Sequence, residues 1–263
     1  NTSRLRIVEL PRTEPPKMDA PDVLAFSVDT AVEEHGPHLP LGTDTIQSYG
    51  ALDALHAEFG NGFMVGHPLE YGQLTWGLPF GFSVDLTAQL LTKYVRGYAD
   101  AMQQWLRPKS MYVVDVHGSI VHRQAIVKGL QESSVERWSF RWLHEPLAEF
   151  SSQRNDQHAG GVETALVEFL NRQLTDPDWW PGRIADIEAK QVSLARAVEL
   201  SPDLDEFIKA ADRESWNGVV GGIENYPSLD AKDLFERILA LARDDVQQLL
   251  AGKASRNAGA DLW

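Results

Sequence analysis

The stretch DVLAFSVDTAVEEHGPHLPLGTDT, Asp22 to Thr45, decides how the chain is read. Its first third, DVLAFSVD, is mostly apolar and rich in β-formers, as in a strand buried on both faces. The character then changes at once. Glu33, Glu34, His35, His38 and Asp44 crowd into a segment that also holds Gly36, Pro37, Pro40 and Gly42. Glycine and proline at that density argue for a loop and against a helix. Acids and imidazoles are thus gathered beyond the carboxyl end of a strand, where open α/β sheets bind their ligands.

Reading outward, Thr45 to Phe59 has a helical stripe of Ile46, Tyr49, Leu52 and Leu55, and Phe63 to Gly66 is a short strand. The segment Pro68 to Phe82, PLEYGQLTWGLPFGF, reads as a structured loop. From about Asp85 to Leu106, Leu91, Val95, Tyr98 and Met102 repeat at helical spacing, with Ser83 or Asp85 as cap and Pro108 as stop. Ser110 to Val116 is a second buried strand, which delivers His117 and Gly118, with His122 soon after. Residues around Gln124 to Gln131 can form a helix. Trp138, Phe140 and Trp142 alternate as a strand with one aromatic face, suited to a core or to an interface. Gln157 to Leu174 holds a loop and then a helix with Val162, Leu166, Phe169 and Leu170 inward, and Trp179 to Gly182 is a turn-rich break. Leu234, Ile238, Leu241 and Leu249 mark a final helix. Strands alternating with helices predict an α/β fold: one three-layer αβα domain over 1–263 with a mostly parallel sheet. Residues 1–20 and 252–263 read as a peripheral extension and tail, although Trp263 could dock.

Composition excludes several functions. The 263 residues carry a formal net charge of -14, which argues against nucleic acid and anionic membrane as partners. No apolar run approaches a membrane span and the first residues are too polar for a signal peptide, so the expected compartment is the cytoplasm. There is no cysteine, so a metal site would have to use His, Asp and Glu. No glycine-rich phosphate loop follows the first strand, which removes the usual nucleotide-binding reading.

Three polar clusters stand at strand-end or loop-to-helix positions: Glu33, His35, His38 and Asp44; Asp115, His117 and His122; Asp156, His158 and Glu163. Five of the eight histidines fall in them. No single cluster is specific. Together they could meet the needs of two divalent ions, which require about five or six ligands including a bridging carboxylate. Imidazole with carboxylate suits zinc, manganese or iron.

On these residues the chain resembles the creatininase, or creatinine amidohydrolase, family. The family's first motif resembles E-x-H-G-P-H-L-P-L-x-T-D, which residues 33–44 match throughout. Its third resembles D-x-H-A-G-x-x-E-T-S, and Asp156 to Ala165 reads DQHAGGVETA. Its second, typically N-G-H-G-G-N, is degraded here to Asp115-Val116-His117-Gly118-Ser119-Ile120. A weaker fourth match is GVVGGIENYPSLDAKDLFERI, and order and spacing agree over roughly residues 20–250. The resemblance implies a creatininase-like fold, two divalent ions per chain, a small-molecule substrate and a homo-oligomer, often a hexamer. It implies Glu33, His35, Asp44, His117 and Glu163 as metal ligands, with Asp44 as the bridge, and His158 as the catalytic proton carrier. Some members carry a glutamate ligand where this chain has Ser119. Asp156 is expected to orient His158 or touch substrate, and His38 to hold the loop. Trp76, Tyr71 and Gln73 are expected at the pocket wall and His122 at the edge of the site, whereas Glu34 is expected to face solvent. The implied activity is cleavage of a cyclic amide, formamide or related C–N bond by metal-activated hydroxide. The alternatives are ring opening of an oxidised cyclitol or sugar, and a non-catalytic metal-binding scaffold. The changes at Asp115, Ser119, Ile120 and Trp76 make creatinine itself a poor fit.

Overall fold

The computed structural model describes residues 20–171 and 180–253. Four strands form one parallel sheet: β1 (Val23–Ser27), β2 (Phe63–Val65), β3 (Ser110–Asp115) and β4 (Trp138–Trp142), in the order β2-β1-β3-β4. Pairing aligns Val23 with Phe63 on one side and with Ser110 on the other, and Met111 with Trp138. Helices make every crossover: α1 (Thr43–Phe59), α2 (Ala88–Leu106) and α3 (Ile120–Gln131); a short helix, α4 (Ala148–Ser152), follows β4. Strand β1 runs first to β2 on one flank, and the chain then crosses back to β3 on the other. The carboxyl ends of β1 and β3 therefore flank the point where strand order reverses, the crevice in which such sheets hold ligands.

The strands are buried on both faces because their alternate residues serve two cores. Val23, Ala25, Tyr112 and Val114 pack with Ala51, Leu52 and Leu55 of α1, with α5 (Gly161–Asn171) and with α9 (Ala231–Leu250). Leu24, Phe26, Met111 and Val113 pack with α2 and α3 on the opposite face. The result is the expected three-layer αβα arrangement. Trp138, Phe140 and Trp142 belong to the second core, so the aromatic face of β4 is interior. The other face of β4 turns Arg141 onto Asp245 of α9 through paired bonds of 2.6 and 2.8 Å, a two-pronged ion pair that fixes the last helix to the sheet.

Several boundaries differ from the sequence reading. Helix α2 starts at Ala88, capped by Thr87 and not by Ser83 or Asp85, since Asp85 accepts from the Leu74 backbone instead. Phe169, expected inward, is 47% exposed. Trp180 opens helix α6 (Trp180–Glu188) where a break was expected, and Trp179 and Trp263 lie outside the described residues. Two short helices, α7 (Leu194–Leu200) and α8 (Leu204–Glu214), had not been anticipated. Ser193 and Asp203 cap them, accepting from the backbones of Arg196 and Glu206. Phe207 of α8 packs edge-on against Phe80 and Trp216, which fixes this pair of helices beside the loop after β2. Among the described residues, no helix is long and apolar enough to cross a membrane.

Candidate metal centre

Beyond β1 the chain turns back through Gly36, whose φ of +72° favours glycine and where a Cβ would stand 2.8 Å from Val219. The turn delivers Glu33 and His35 to one side. Asp44 comes from the first turn of α1, which begins two residues earlier than expected and places this carboxylate at a helix amino terminus. Glu163 sits likewise in the first turn of α5. His117 arrives from the end of β3, and His158 from the loop before α5.

These six side chains converge. His35 Nε2 lies 3.3 Å from Asp44 Oδ1 and 3.9 Å from Glu163 Oε2. His117 Nδ1 lies 3.0 Å from Glu33 Oε2 and 3.5 Å from Asp44 Oδ2. The two oxygens of Asp44 therefore face two different sets of donors. In each of the sets His35–Asp44–Glu163, Glu33–Asp44–His117 and Glu33–His35–His158, the donor atoms lie within 4.8 Å of one another. Thr30, which the sequence reading passed over, donates at 2.5 Å to Asp44 Oδ2 and also bonds Glu33 Oε2.

Backbone carbonyls fix the histidine tautomers, because a carbonyl can only accept. His35 donates from Nδ1 to the Glu33 carbonyl at 3.0 Å, and His117 donates from Nε2 to the Gln73 carbonyl at 3.1 Å. His158 donates from Nε2 to the Glu34 carbonyl at 2.8 Å. When the rings are neutral, each turns its other nitrogen, as a lone pair, toward carboxylate oxygens. Such a facing of acceptors is unfavourable unless a cation or a proton lies between them. His35 Nε2 is buried and has no hydrogen-bond partner, so the donor set fits a divalent cation. Without a cation, protons take that place: burial pulls His35 down, but Asp44, Glu163 and Glu33 outweigh it and push the imidazole up to about 10. His117 is likewise driven well above its ordinary value, as Glu33 and Asp44 overcome burial.

The remaining candidates support this centre from outside it. His122 is buried, donating from Nε2 to the Val28 carbonyl at 2.9 Å and accepting at Nδ1 from the Gln73 backbone at 3.0 Å. It ties the end of β1 to the residue that orients His117, and Gly72 leaves it room, since a Cβ there would stand 2.3 Å from its ring. Ser119 caps α3 and donates to the Gln73 side chain at 2.7 Å. His38 is buried and pairs with Thr164 at 3.0 Å; burial and the charge of His35 pull it down to about 4, so it holds the loop as a neutral ring. Asp156 accepts from the Val162 backbone at 3.1 Å and serves the start of α5. Contrary to the expectation that it faces solvent, Glu34 has its Oε2 buried without a partner, and burial pushes its carboxyl up to about 7.

A cavity of about 480 Å³ opens against Glu33, His117 and His158. Trp76 and Ser119 line it, as do Phe80, Leu194, Val198 and Phe207, which the sequence reading had not placed there. Tyr71 is 41% exposed and stands outside the described lining.

The sequence model of the family described as creatininase, creatinine amidohydrolase, matches residues 12–248. The chain belongs to the creatininase family. That family is one of hydrolytic enzymes, and the fold agrees. A creatinine amidohydrolase (creatininase) structure is 17% identical at a TM-score of 0.66, covering 94% of this chain and 98% of its own. A manganese creatininase is 15% identical at 0.65, covering 92% and 97%. A mutant creatininase complexed with creatine is 14% identical at 0.66, covering 93% and 98%. At these identities the likeness to solved creatininases establishes the fold alone. No match was found among curated proteins.

Proposed function

We propose that this creatininase-family chain is a metal-dependent amidohydrolase that cleaves a C–N bond next to a carbonyl. The observation that carries this reading is the position of Asp44, whose two oxygens face His35 with Glu163 on one side and His117 with Glu33 on the other. In this assignment His35 and Glu163 would hold one divalent ion and Glu33 and His117 a second, with Asp44 offering one oxygen to each. Zinc, manganese or iron ions there would supply Lewis acidity, lowering the pKa of water and polarising a carbonyl.

His158 is the proton carrier. Its Nε2 is committed to the Glu34 carbonyl, so Nδ1 is free to work on the cavity side, 3.8 Å from Glu33 Oε1. Such a group can take a proton from water as it adds to the carbonyl carbon and give it to the departing nitrogen. The C–N bond breaks, the water oxygen stays on carbon as a carboxylate, and the amine leaves with a proton. Glu33 and His117 stand on the same wall, so bond cleavage and proton transfer share one side of the cavity. The scaffold alternative predicts an incomplete ligand shell; the convergence of five donors with His158 speaks against it.

Turnover of small lactams, formamides and cyclic ketones by metal-stripped and metal-restored protein tests the reading. Metal-dependent release of amine from an amide supports it. Hydrolysis of cyclic ketones alone points to ring opening instead.

A further inference from the structure

Apart from Glu33, His117 and His158, the cavity is lined mostly by apolar side chains. Trp76 and Phe80 come from the loop after β2, Ile120 from the start of α3, Leu194 and Val198 from α7, and Phe207 from α8. Trp76 is 44% exposed, Val121 41% and Val198 60%, so the mouth presents large apolar side chains to water. An apolar rim around a concave site marks a place where an apolar ligand is held. Among the described lining residues there is no lysine or arginine to receive a carboxylate or phosphate. The other polar side chains are Ser119, Gln157 and Ser201; Ser119 already donates to Gln73 and Ser201 to the Val198 carbonyl. A polyhydroxylated ring would lose its hydrogen bonds to water here and regain few of them, which costs free energy for every unpaired group. The volume also exceeds what a bare five-membered lactam fills.

We infer that the substrate is an uncharged amide or lactam bearing an apolar group, alkyl or aryl, which lies between Trp76, Phe80, Val198 and Phe207 while its carbonyl meets the Glu33–His117–His158 wall. This rests on the hydrolase reading above and deepens it. Helices α7 and α8 then act as a specificity roof: they supply Leu194, Val198 and Phe207, and the aromatic contacts of Phe207 with Phe80 and Trp216 hold the roof in place. Creatinine, small and polar, would leave this half of the cavity unfilled.

The test compares 2-pyrrolidinone with 1-phenyl-2-pyrrolidinone, for binding by calorimetry and for hydrolysis by metal-loaded protein, in wild type and in Val198→Asp. Val198 is exposed enough for the variant to fold. The phenyl compound is expected to bind about tenfold or more tightly, with a negative heat-capacity change, and to show a similar gain in kcat/KM. Val198→Asp is expected to remove most of that ratio. Hydrolysis of both lactams with no preference overturns the apolar-substrate assignment and leaves the hydrolase reading standing. Preferential binding of the phenyl compound, lost in Val198→Asp, with no amide hydrolysed, sustains the pocket and sinks the hydrolase reading. Absence of any preference, in binding and in turnover alike, overturns the inference outright.

Discussion

His35 Nε2 faces Asp44 Oδ1 at 3.3 Å across a buried gap, and the two form no hydrogen bond. The ring is already oriented by its Nδ1 bond to the Glu33 carbonyl, so the free nitrogen must meet either a proton or a cation. Protons and ions therefore compete. Adding zinc or manganese to metal-free protein in weak buffer near pH 8 is predicted to release about one proton or more per ion, read with a pH indicator. The same group gives a stability signature. Its folded pKa of about 10 lies above the unfolded value, so its contribution is complete below about pH 6.5 and is lost as pH rises toward 10. The Tm of metal-free protein should fall over that interval, and that of metal-loaded protein should fall less.

Glu34 changes stability in the same direction over a lower interval, this time through a buried carboxyl. Burial lifts its carboxyl from 4.5 to about 7, so the unfolded chain gives up this proton first and stability declines as pH rises between those values. Glu34→Gln removes the buried charge and keeps the shape. Scanning fluorimetry should show Tm raised by about 2–4 °C at pH 8, with no gain at pH 4. An unchanged Tm at pH 8 would mean that Glu34 reaches water.

His122 packs edge-on against His117, with ring centroids 5.2 Å apart, and also carries its position through Gln73. His122→Phe keeps the bulk and leaves the Val28 carbonyl and the Gln73 N–H unpaired. A loss of about 2–5 kcal/mol in urea unfolding is expected, with metal affinity about ten- to a hundredfold weaker. Weakened metal binding without loss of stability would place His122 among the ligands instead.

His158 also lies within ligand distance of Glu33 and His35, so its role is decided by which property its loss affects. As proton carrier, His158→Asn should lower kcat by about 10²–10⁴, flatten one limb of the pH–rate profile and leave metal content intact. Loss of an ion in that variant would assign it as a ligand.

The sheet and its crossovers were legible because strands buried on both faces write continuous apolar runs, and DVLAFSVD and SMYVVDV are such runs. The converging residues of the first motif were legible because three acids and two imidazoles stand together among glycines and prolines just beyond a buried strand. Tautomers were not legible, since backbone carbonyls such as those of Glu33, Gln73 and Glu34 leave no mark in the side-chain sequence. Nor was the roof. The apolar stripe of α8 is short, with Phe207, Ala210 and Ala211 buried, although Asp203 three residues before Glu206 is a capping pattern that marks its start. Phe80 and Val198 are distant in sequence and share the cavity only because α7 and α8 fold back over it.

The proposed pair of divalent ions would be held by Glu33, His35, Asp44, His117 and Glu163. Its most direct test is metal analysis of the protein purified without added metal, together with Glu163→Gln. The account predicts about two ions per wild-type chain and about one in the variant, with the fold intact by circular dichroism. Wild-type protein that keeps no divalent metal, and whose hydrolysis is unchanged by Glu33→Gln, would contradict it.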